Sequence, residues 1–348
     1  RTTVRQMTKI GPFRRLLVVV KASMYQVYRE TGEVLSDTRW DRLLKRHNAH
    51  EEAVEELASF LKSRGLKSEF VPRADVQARH TEAADLVVSI GGDGTALAAS
   101  HKIMTSTTPL IGINSDPTSL SFRDNSMTPW DERRSTGALC SSTRDTMIGV
   151  LGEVIAGDRK PVKVARIRTS VNGLVLPPAL NDVLLAHPSP AAVSRYSINI
   201  SGKISWDGPG QGGEGNRRYF HVRSSGMRAC SAMGSTAAMF SAGGDLMEED
   251  STDLQYMDRE PIYFNRRPEG ERQGHGFVAR HEAMDIRWNS AKGMAYVDGS
   301  HITHDLAAGD NIEISTGAPP LLLFKGDRYV PGKPWVRAAA SRAGGAKR

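Results

Sequence analysis

The chain has 348 residues and a mass of 38.0 kDa, with 39% hydrophobic and 24% charged residues and a formal charge of +7. That much apolar residue excludes disorder as the main state, and the longest apolar runs, Leu16–Val20 and Leu321–Phe324, fall far short of the ~20 residues that a membrane span needs. The positive charge does not predict a nucleic-acid partner, which would require it on a folded face: residues 1–15 hold five basic residues and no acid, residues 325–348 hold seven basic residues and one acid, and the body between is slightly acidic. Cys140 and Cys230 stand far apart without Cys-x-x-Cys spacing. A disulfide framework or zinc ribbon is therefore not expected, and a reducing compartment is. The cytoplasm is the expectation, with the mitochondrion as the alternative, because the acid-free start reads either as the leftover of a targeting segment or as a solvated tail.

In chain order, Leu16–Val20 reads as a strand buried on both faces. Residues 48–64 read as an amphipathic helix, with Asn48 and Glu51 at capping-box spacing, an apolar face of Val54, Leu57, Ala58 and Leu61, and Gly65 as its end. Strands follow at Leu66–Val71, Asp85–Ile90 and Pro109–Ile113, with the turn Gly91-Gly92-Asp93-Gly94-Thr95 and a helix-prone Ala96–Met104 between the last two. Strands separated by helices predict a mostly parallel sheet. Beyond about residue 160 the runs become short and alternating: Lys163–Val171, Ala179–Ala186, Arg195–Ile200, Tyr219–Val222, Phe277–Ala279, Met284–Trp288, Met294–Val297 and Asn311–Ser315. This predicts an all-β region. Gly202–Asn216 and Asn265–Gly276 read as inserted surface loops. The expected organisation is an α/β domain over 14–160, with a Rossmann-like parallel sheet, and a β domain over 161–325, flanked by basic tails at 1–13 and 326–348.

Gly91–Thr95 stands between a buried strand and a helix start. Glycines there let the backbone approach a ligand and adopt positive φ, and the helix amides favour a phosphate. A carboxylate at Asp93 would repel a bare phosphate, so its presence suits a second task, taking a proton from a hydroxyl or helping to hold Mg²⁺. The plainer alternative is a helix cap. No Gly-x-Gly-x-x-Gly follows the first strand, where Lys21-Ala22-Ser23 stands, and no Gly-x-x-x-x-Gly-Lys-Ser/Thr occurs. Neither the dehydrogenase fingerprint nor a P-loop is present. Asn181-Asp182 open a strand, Gly234-Ser235-Thr236-Ala237 follow another, and Asp298-Gly299 read as a hairpin turn. Taken singly, these are also ordinary turn, cap and hairpin chemistry. His301-x-x-His304 lacks further ligands and reads as surface loop. Cys230 reads as core, and Arg195 as an exposed strand residue within possible reach of a phosphate. Asp116 and Asp182 are candidate helpers of a metal.

Together and in this order, these motifs resemble the NAD kinase family over roughly residues 14–325. Gly-Gly-Asp-Gly-Thr matches 91–95, the Asn-Glu/Asp pair matches 181–182, Gly-Ser-Thr-Ala matches 234–237 and a late Asp-Gly matches 298–299. Arg39-Trp40 ahead of Arg46-His47, Gly112-Ile113-Asn114-Ser115-Asp116-Pro117, Arg134-Ser135-Thr136-Gly137 and Arg223-Ser224-Ser225-Gly226 look like the eukaryotic branch, which contains plant NADH kinases and mitochondrial NAD kinases. The resemblance implies an α/β domain and a C-terminal β-sandwich with the dinucleotide bound between them. It implies a homodimer, and transfer of the ATP γ-phosphate with Mg²⁺ to the adenosine ribose 2′-hydroxyl of NAD(H). Asp93 is the implied proton acceptor. The implied nucleotide-binding set is Gly91, Gly92, Gly94, Thr95, Asn114, Asn181, Asp182, Arg223, Ser225, Gly234, Ser235, Thr236 and Ala237. Of these, Ser235, Thr236 and Ala237 are expected around adenine, and Arg223 is expected to face phosphate. A lipid or sugar kinase sharing the glycine turn and a non-catalytic dinucleotide-binding regulator are the alternatives.

Two departures from the family pattern stand out. Ser224-Ser225-Gly226 replaces the common Gly-Asp-Gly, which removes an acidic group near the expected nicotinamide end and should help NADH relative to NAD⁺. Ala138 follows Gly137 where many relatives carry a Phe that packs on the ligand.

Overall fold

A computed structural model describes residues 13–116, 137–201, 219–262 and 274–326, and the chain divides into two compact units, 1–162 with 321–348, and 163–320. In the first unit the chain forms β1 (Arg15–Val20), α1 (Met24–Thr31), α2 (Asp37–Ser63), β2 (Lys67–Pro72), α3 (Ala78–Glu82), β3 (Leu86–Gly91), α4 (Asp93–Ser100), β4 (Pro109–Asn114), β5 (Ser142–Thr143) and α5 (Met147–Ala156). On β6 (Val162–Val164) it passes into the second unit. The strand order β2-β1-β3-β4 is parallel throughout. Every residue of β3 and β4 is buried, as central strands covered on both faces require. Against them Leu57 and Leu61 of α2 and Leu151 and Val154 of α5 close one core with Leu16, Val88 and Ile111.

The helix expected over 48–64 begins eleven residues earlier, at Asp37, after Ser36 as N-cap. Asn48 and Glu51 lie inside it, because the capping-box spacing is also the spacing of neighbours on one helix face. Its early turns are held by α1: Tyr25 meets Trp40 edge-on at 5.6 Å and stacks on His47 at 5.2 Å. The buried stripe is His50, Ala53, Leu57 and Leu61, so Leu57 and Leu61 fall where expected while Val54 and Ala58 flank it. Helix α1 starts in a capping box of Ser23 and Gln26. Helix α5, to which periodicity assigned nothing, contains Gly149 and Gly152 among its apolar residues, and glycine normally weakens a helix interior. Among the described residues no helix is long and apolar enough to cross a membrane.

Among the described residues the second unit is antiparallel β-structure with one short α-helix, preceded by a 3-10 turn at Gly234–Thr236. Its elements are β7 (Arg168–Val171), β8 (Leu174–Val175), β9 (Asp182–Ala186), β10 (Ser194–Ser201), β11 (Phe220–Ser224), β12 (Met227–Cys230), α6 (Ala238–Ser241), β13 (Leu254–Asp258), β14 (His275–Val278), β15 (Ala283–Trp288), β16 (Gly293–Val297), β17 (Thr303–Leu306) and β18 (Asn311–Ser315). They make two six-stranded sheets, β11-β10-β15-β18-β7-β8 and β14-β13-β12-β9-β16-β17. Inward residues of both sheets, among them Val183, Leu185, Ile198, Met227, Ile286 and Ile314, share one core, the sandwich expected of alternating strands. Trp288 and Tyr196 stack at its centre, 6.0 Å apart.

The chain then returns. β19 (Leu321–Phe324), expected in the second domain, pairs parallel with β4 in the first unit. Its unbroken apolar run Leu-Leu-Leu-Phe has nearly all of its surface covered, which suits a parallel interior position better than an alternating sandwich strand. Phe13, assigned to the tail, packs edge-on against Phe324 at 6.4 Å. The expected loop Asn265–Gly276 ends in strand, since β14 begins at His275. Gly202–Asn216, residues 134–136 and most of both tails lie outside the described residues.

If β19 belongs to the first unit, Phe324→Ala should open a cavity there at a cost of about 3–5 kcal/mol. Hydrogen exchange should then show lost protection on β4 and β3 and unchanged protection on β10 and β15. Loss confined to the sandwich would contradict the assignment.

Candidate active site

In a sheet of order β2-β1-β3-β4 the chain reverses direction of travel between β1 and β3, and open α/β sheets bind ligands outside the strand C-termini at such a point. Lys21 follows β1, Gly91–Thr95 follow β3, and Asn114, Ser115 and Asp116 end β4. Gly91, Gly92 and Gly94 do not have positive φ; Gly91 answers to space. A Cβ on Gly91 would stand 2.4 Å from Thr95 Oγ1 and 2.7 Å from Lys21 Cβ. Gly92 is the N-cap of α4, and Asp93 is its first residue. Thr95, expected to offer a hydroxyl or amide to phosphate, is buried and turned inward, its N–H donating to Gly92 O at 2.9 Å.

Asp93 stands one residue inside its helix rather than at the N-cap. Its carboxylate reaches the segment after the described gap: Leu139 N–H donates to Oδ1 at 2.8 Å and Ala138 N–H to Oδ2 at 3.1 Å. The thiol of Cys140 lies 3.9 Å from Oδ1. Burial, and then the Asp93 charge, push this thiol far up, so it stays protonated. The segment is seated by glycines. A Cβ on Gly112 would meet Leu139 O at 2.9 Å, and one on Gly137 (φ +75°) would meet Asn114 Nδ2 at 2.9 Å. Ala138 thus contributes through its backbone, whatever its side chain. Asn114 is buried, with its Oδ1 accepting the Asp116 N–H at 3.3 Å. Asp116 is paired with Arg46 at 3.0 Å.

His50 was not legible as part of this site. It is buried and bridges two strand ends, Nδ1 at 2.8 Å from Ser115 Oγ and Nε2 at 3.0 Å from Lys21 O. Burial lowers its pKa, the Lys21 carbonyl opposing, so it is held as a neutral strut.

In the second unit, Asn181-Asp182, Gly234-Ser235-Thr236 and Asp298 come together. Asp298, at φ +51° in the turn joining β16 to β17, accepts three backbone amides: Leu180 N–H and Asn181 N–H at 2.7 Å and Asp182 N–H at 2.9 Å. The hairpin is as expected, but its carboxylate also serves as an anchor. Ser231 N–H donates to Asn181 O at 2.9 Å and its hydroxyl to Leu180 O. A Cβ on Gly234 would lie 2.0 Å from Asn181 O, so the two motifs touch only because that residue is glycine. With its backbone fixed on both sides, the half-buried Asn181 keeps a side-chain amide with no hydrogen-bond partner among the described residues. Such an amide presents two donors and an acceptor to a ligand.

Asp182 pairs with Arg228 at 2.7 Å, both largely covered. Burial raises its pKa, Arg228 opposes and Asp298 adds to the rise. Arg166 is fully buried, donates from Nε to Pro319 O at 2.7 Å, and is pushed down to about 10 by burial against the pull of Asp298. Ser235 is buried, donating to Ala232 O and accepting from Met247 N–H. Thr236 donates to Met233 O at 3.1 Å, and Ala237 is exposed.

Arg223 and Ser225 stand apart from this cluster. Arg223 is exposed on β11, opposite Arg195 of β10. Ser225 lines a pocket of about 380 Å³ with His187, Arg259, Glu260 and Tyr296. It lies at the far end of β9 from Asp182, roughly 13 Å away by strand rise. That pocket is not free of acid: Glu260 supplies a carboxylate from a chain segment that the Ser-Ser-Gly motif gave no reason to include.

Asp298→Ala should orphan three amides and uncover Arg166. At about 1–3 kcal/mol per buried unsatisfied donor, urea unfolding should show at least about 3 kcal/mol of lost stability, with Asp298→Asn intermediate. A loss below about 1 kcal/mol would mean the carboxylate is not the anchor.

Residues 13–121 match the family described as the ATP-NAD kinase N-terminal domain. A probable NADH kinase of Oryza sativa subsp. japonica is 40% identical over 277 residues, covering 79% of this chain and 81% of that one. An NADH kinase of Arabidopsis thaliana is 39% identical over 243 residues, covering 69% and 72%. In fold, the chain is similar to the crystal structure of an NAD kinase from Archaeoglobus fulgidus in complex with ATP, with a TM-score of 0.60 at 18% identity over 90% of this chain and 94% of that one. The chain belongs to the NAD kinase family, on its eukaryotic branch.

Proposed function

We propose that this chain uses ATP to phosphorylate NADH and NAD⁺, giving NADPH and NADP⁺, with the adenosine ribose 2′-hydroxyl as acceptor and Asp93 as general base. One observation carries the assignment of the base. A carboxylate at the head of α4, in the glycine turn at the switch point of the sheet, accepts two backbone amides from residues 138 and 139. In this reading the proton of the ribose hydroxyl passes to an Asp93 oxygen as the oxygen–γ-phosphorus bond forms. The bond from γ-phosphorus to the bridging oxygen breaks, and ADP leaves with the electron pair. The first-turn amides of α4 favour the negative charge of the phosphate chain. Asn181, Asp182 and Thr236 form the dinucleotide-recognising surface of the second unit.

Among the described residues no three His, Cys, Asp or Glu side chains gather to hold a metal. In this reading Mg²⁺ arrives on the phosphates of ATP, with Asp93 as the carboxylate at the turn that would help to hold it, since this ion keeps few protein ligands. Bound there, it would neutralise charge on the β- and γ-phosphates. We also place the chain as a homodimer in a reducing compartment, cytoplasmic or mitochondrial, to which its two free cysteines are suited.

Asp93→Asn should lower turnover by about 10²–10⁴-fold while NADH still binds, as read by quenching of intrinsic fluorescence; a variant that keeps most of its activity refutes the base. For the acceptor, kcat/KM measured with NADH and NAD⁺ should shift toward NAD⁺ in Ser225→Asp, because a second carboxylate joins Glu260 near a positive ring. An unchanged ratio would remove Ser225 from the choice of acceptor.

A further inference from the structure

We propose that Arg73 is a phosphate-donor contact of this enzyme, supplying the positive charge that the Gly-Gly-Asp-Gly-Thr turn itself lacks. The inference rests on the reading of Gly91–Thr95 as the site of ATP. A P-loop carries its own lysine within the glycine motif. Here the motif carries an aspartate instead, so a triphosphate at this turn meets repulsion that amides and a helix dipole of about half a charge offset only in part. Apart from the Mg²⁺ carried on ATP, the balancing cation comes from elsewhere in the fold.

Arg73 is placed to be that cation. It opens the short turn Arg73–Asp75 directly after β2, at the same C-terminal edge of the sheet as Lys21, Gly91 and Asn114. A Cβ built on Gly94 would find one group within 4 Å, Arg73 Nη1 at 3.8 Å; apart from that guanidinium, the space beside Gly94 is open. The Arg73 side chain is exposed and makes no hydrogen bond or ion pair with any described residue. Its planar fork can take two phosphate oxygens at once, which a lysine cannot do. Directly after β1, Lys21 sits against Gly91, so β1 and β2, which lie on one side of β3 in the sheet, are each followed by a basic residue at this edge. An arginine that merely solvates the surface would share the exposure but has no reason to lie within 4 Å of the Gly94 position in the turn.

The test is Arg73→Gln in the full chain, with Arg73→Lys beside it. In Arg73→Gln the KM for ATP and the calorimetric Kd for MgATP should both rise about tenfold or more, the scale of losing a charged hydrogen-bond pair. The KM for NADH should stay within twofold and the melting temperature should not move, since the side chain is exposed. Arg73→Lys should recover part of the ATP affinity. An ATP KM and Kd within twofold of wild type overturn the inference while leaving the proposed activity standing. A wild-type chain that forms no NADP(H) from either acceptor overturns the proposed activity, and the MgATP Kd still decides Arg73. A wild type that binds no ATP overturns both.

Discussion

A methyl group on Gly234 would lie 2.0 Å from the carbonyl oxygen of Asn181, well inside any allowed contact. The same constraint recurs at Gly91 against Thr95 and Lys21, and at Gly112 against Leu139. At Gly112 and Gly234 a second stretch of backbone, and at Gly91 the side chains of Thr95 and Lys21, come so close that no side chain fits, and at each a residue of the candidate site is involved. These glycines serve close approach rather than unusual backbone angles, since none of the three has positive φ. Function here depends on distance, and distance depends on missing Cβ atoms.

Each unit then uses one carboxylate to fix what the glycines bring near. Asp93 takes the amides of Ala138 and Leu139, and Asp298 takes those of Leu180, Asn181 and Asp182. The two differ in surroundings. Asp298 is buried, with a buried arginine at hand in Arg166 and a neighbouring ion pair in Asp182 and Arg228. A buried charge that lost its partners would be strongly destabilising, so this anchor is structural. Asp93 is half-exposed at the sheet edge, and its environment leaves it reachable by a substrate hydroxyl. Chemistry is assigned to the accessible carboxylate and scaffolding to the covered one.

Much of this was legible in the chain. Continuous apolar runs gave most of the parallel strands and alternation gave the sandwich, while the helix expected from Ala96 to Met104 begins three residues earlier, at Asp93 within the glycine turn, and ends at Ser100. What local pattern could not supply was long-range. Leu321–Phe324 is an apolar run that its place in the chain puts in the β domain, and only pairing with β4 returns it to the first unit. Asp298-Gly299 reads as a hairpin, which it is, and nothing nearby announces that its side chain reaches back to Leu180. His50 lay within a helical stripe, where a histidine looks like a face residue rather than a strut between Lys21 and Ser115. Ser225 was read as leaving its surroundings without acid because Glu260 is distant in sequence.

The central claim is that an Asp93 oxygen receives the ribose proton. The most direct measurement is a structure of the chain with NADH and a non-hydrolysable ATP analogue. The account predicts an Asp93 carboxylate oxygen within about 2.6–3.2 Å of the adenosine ribose 2′-oxygen. A carboxylate still committed to Ala138 and Leu139, with the ribose hydroxyl beyond reach even through one water, would contradict it.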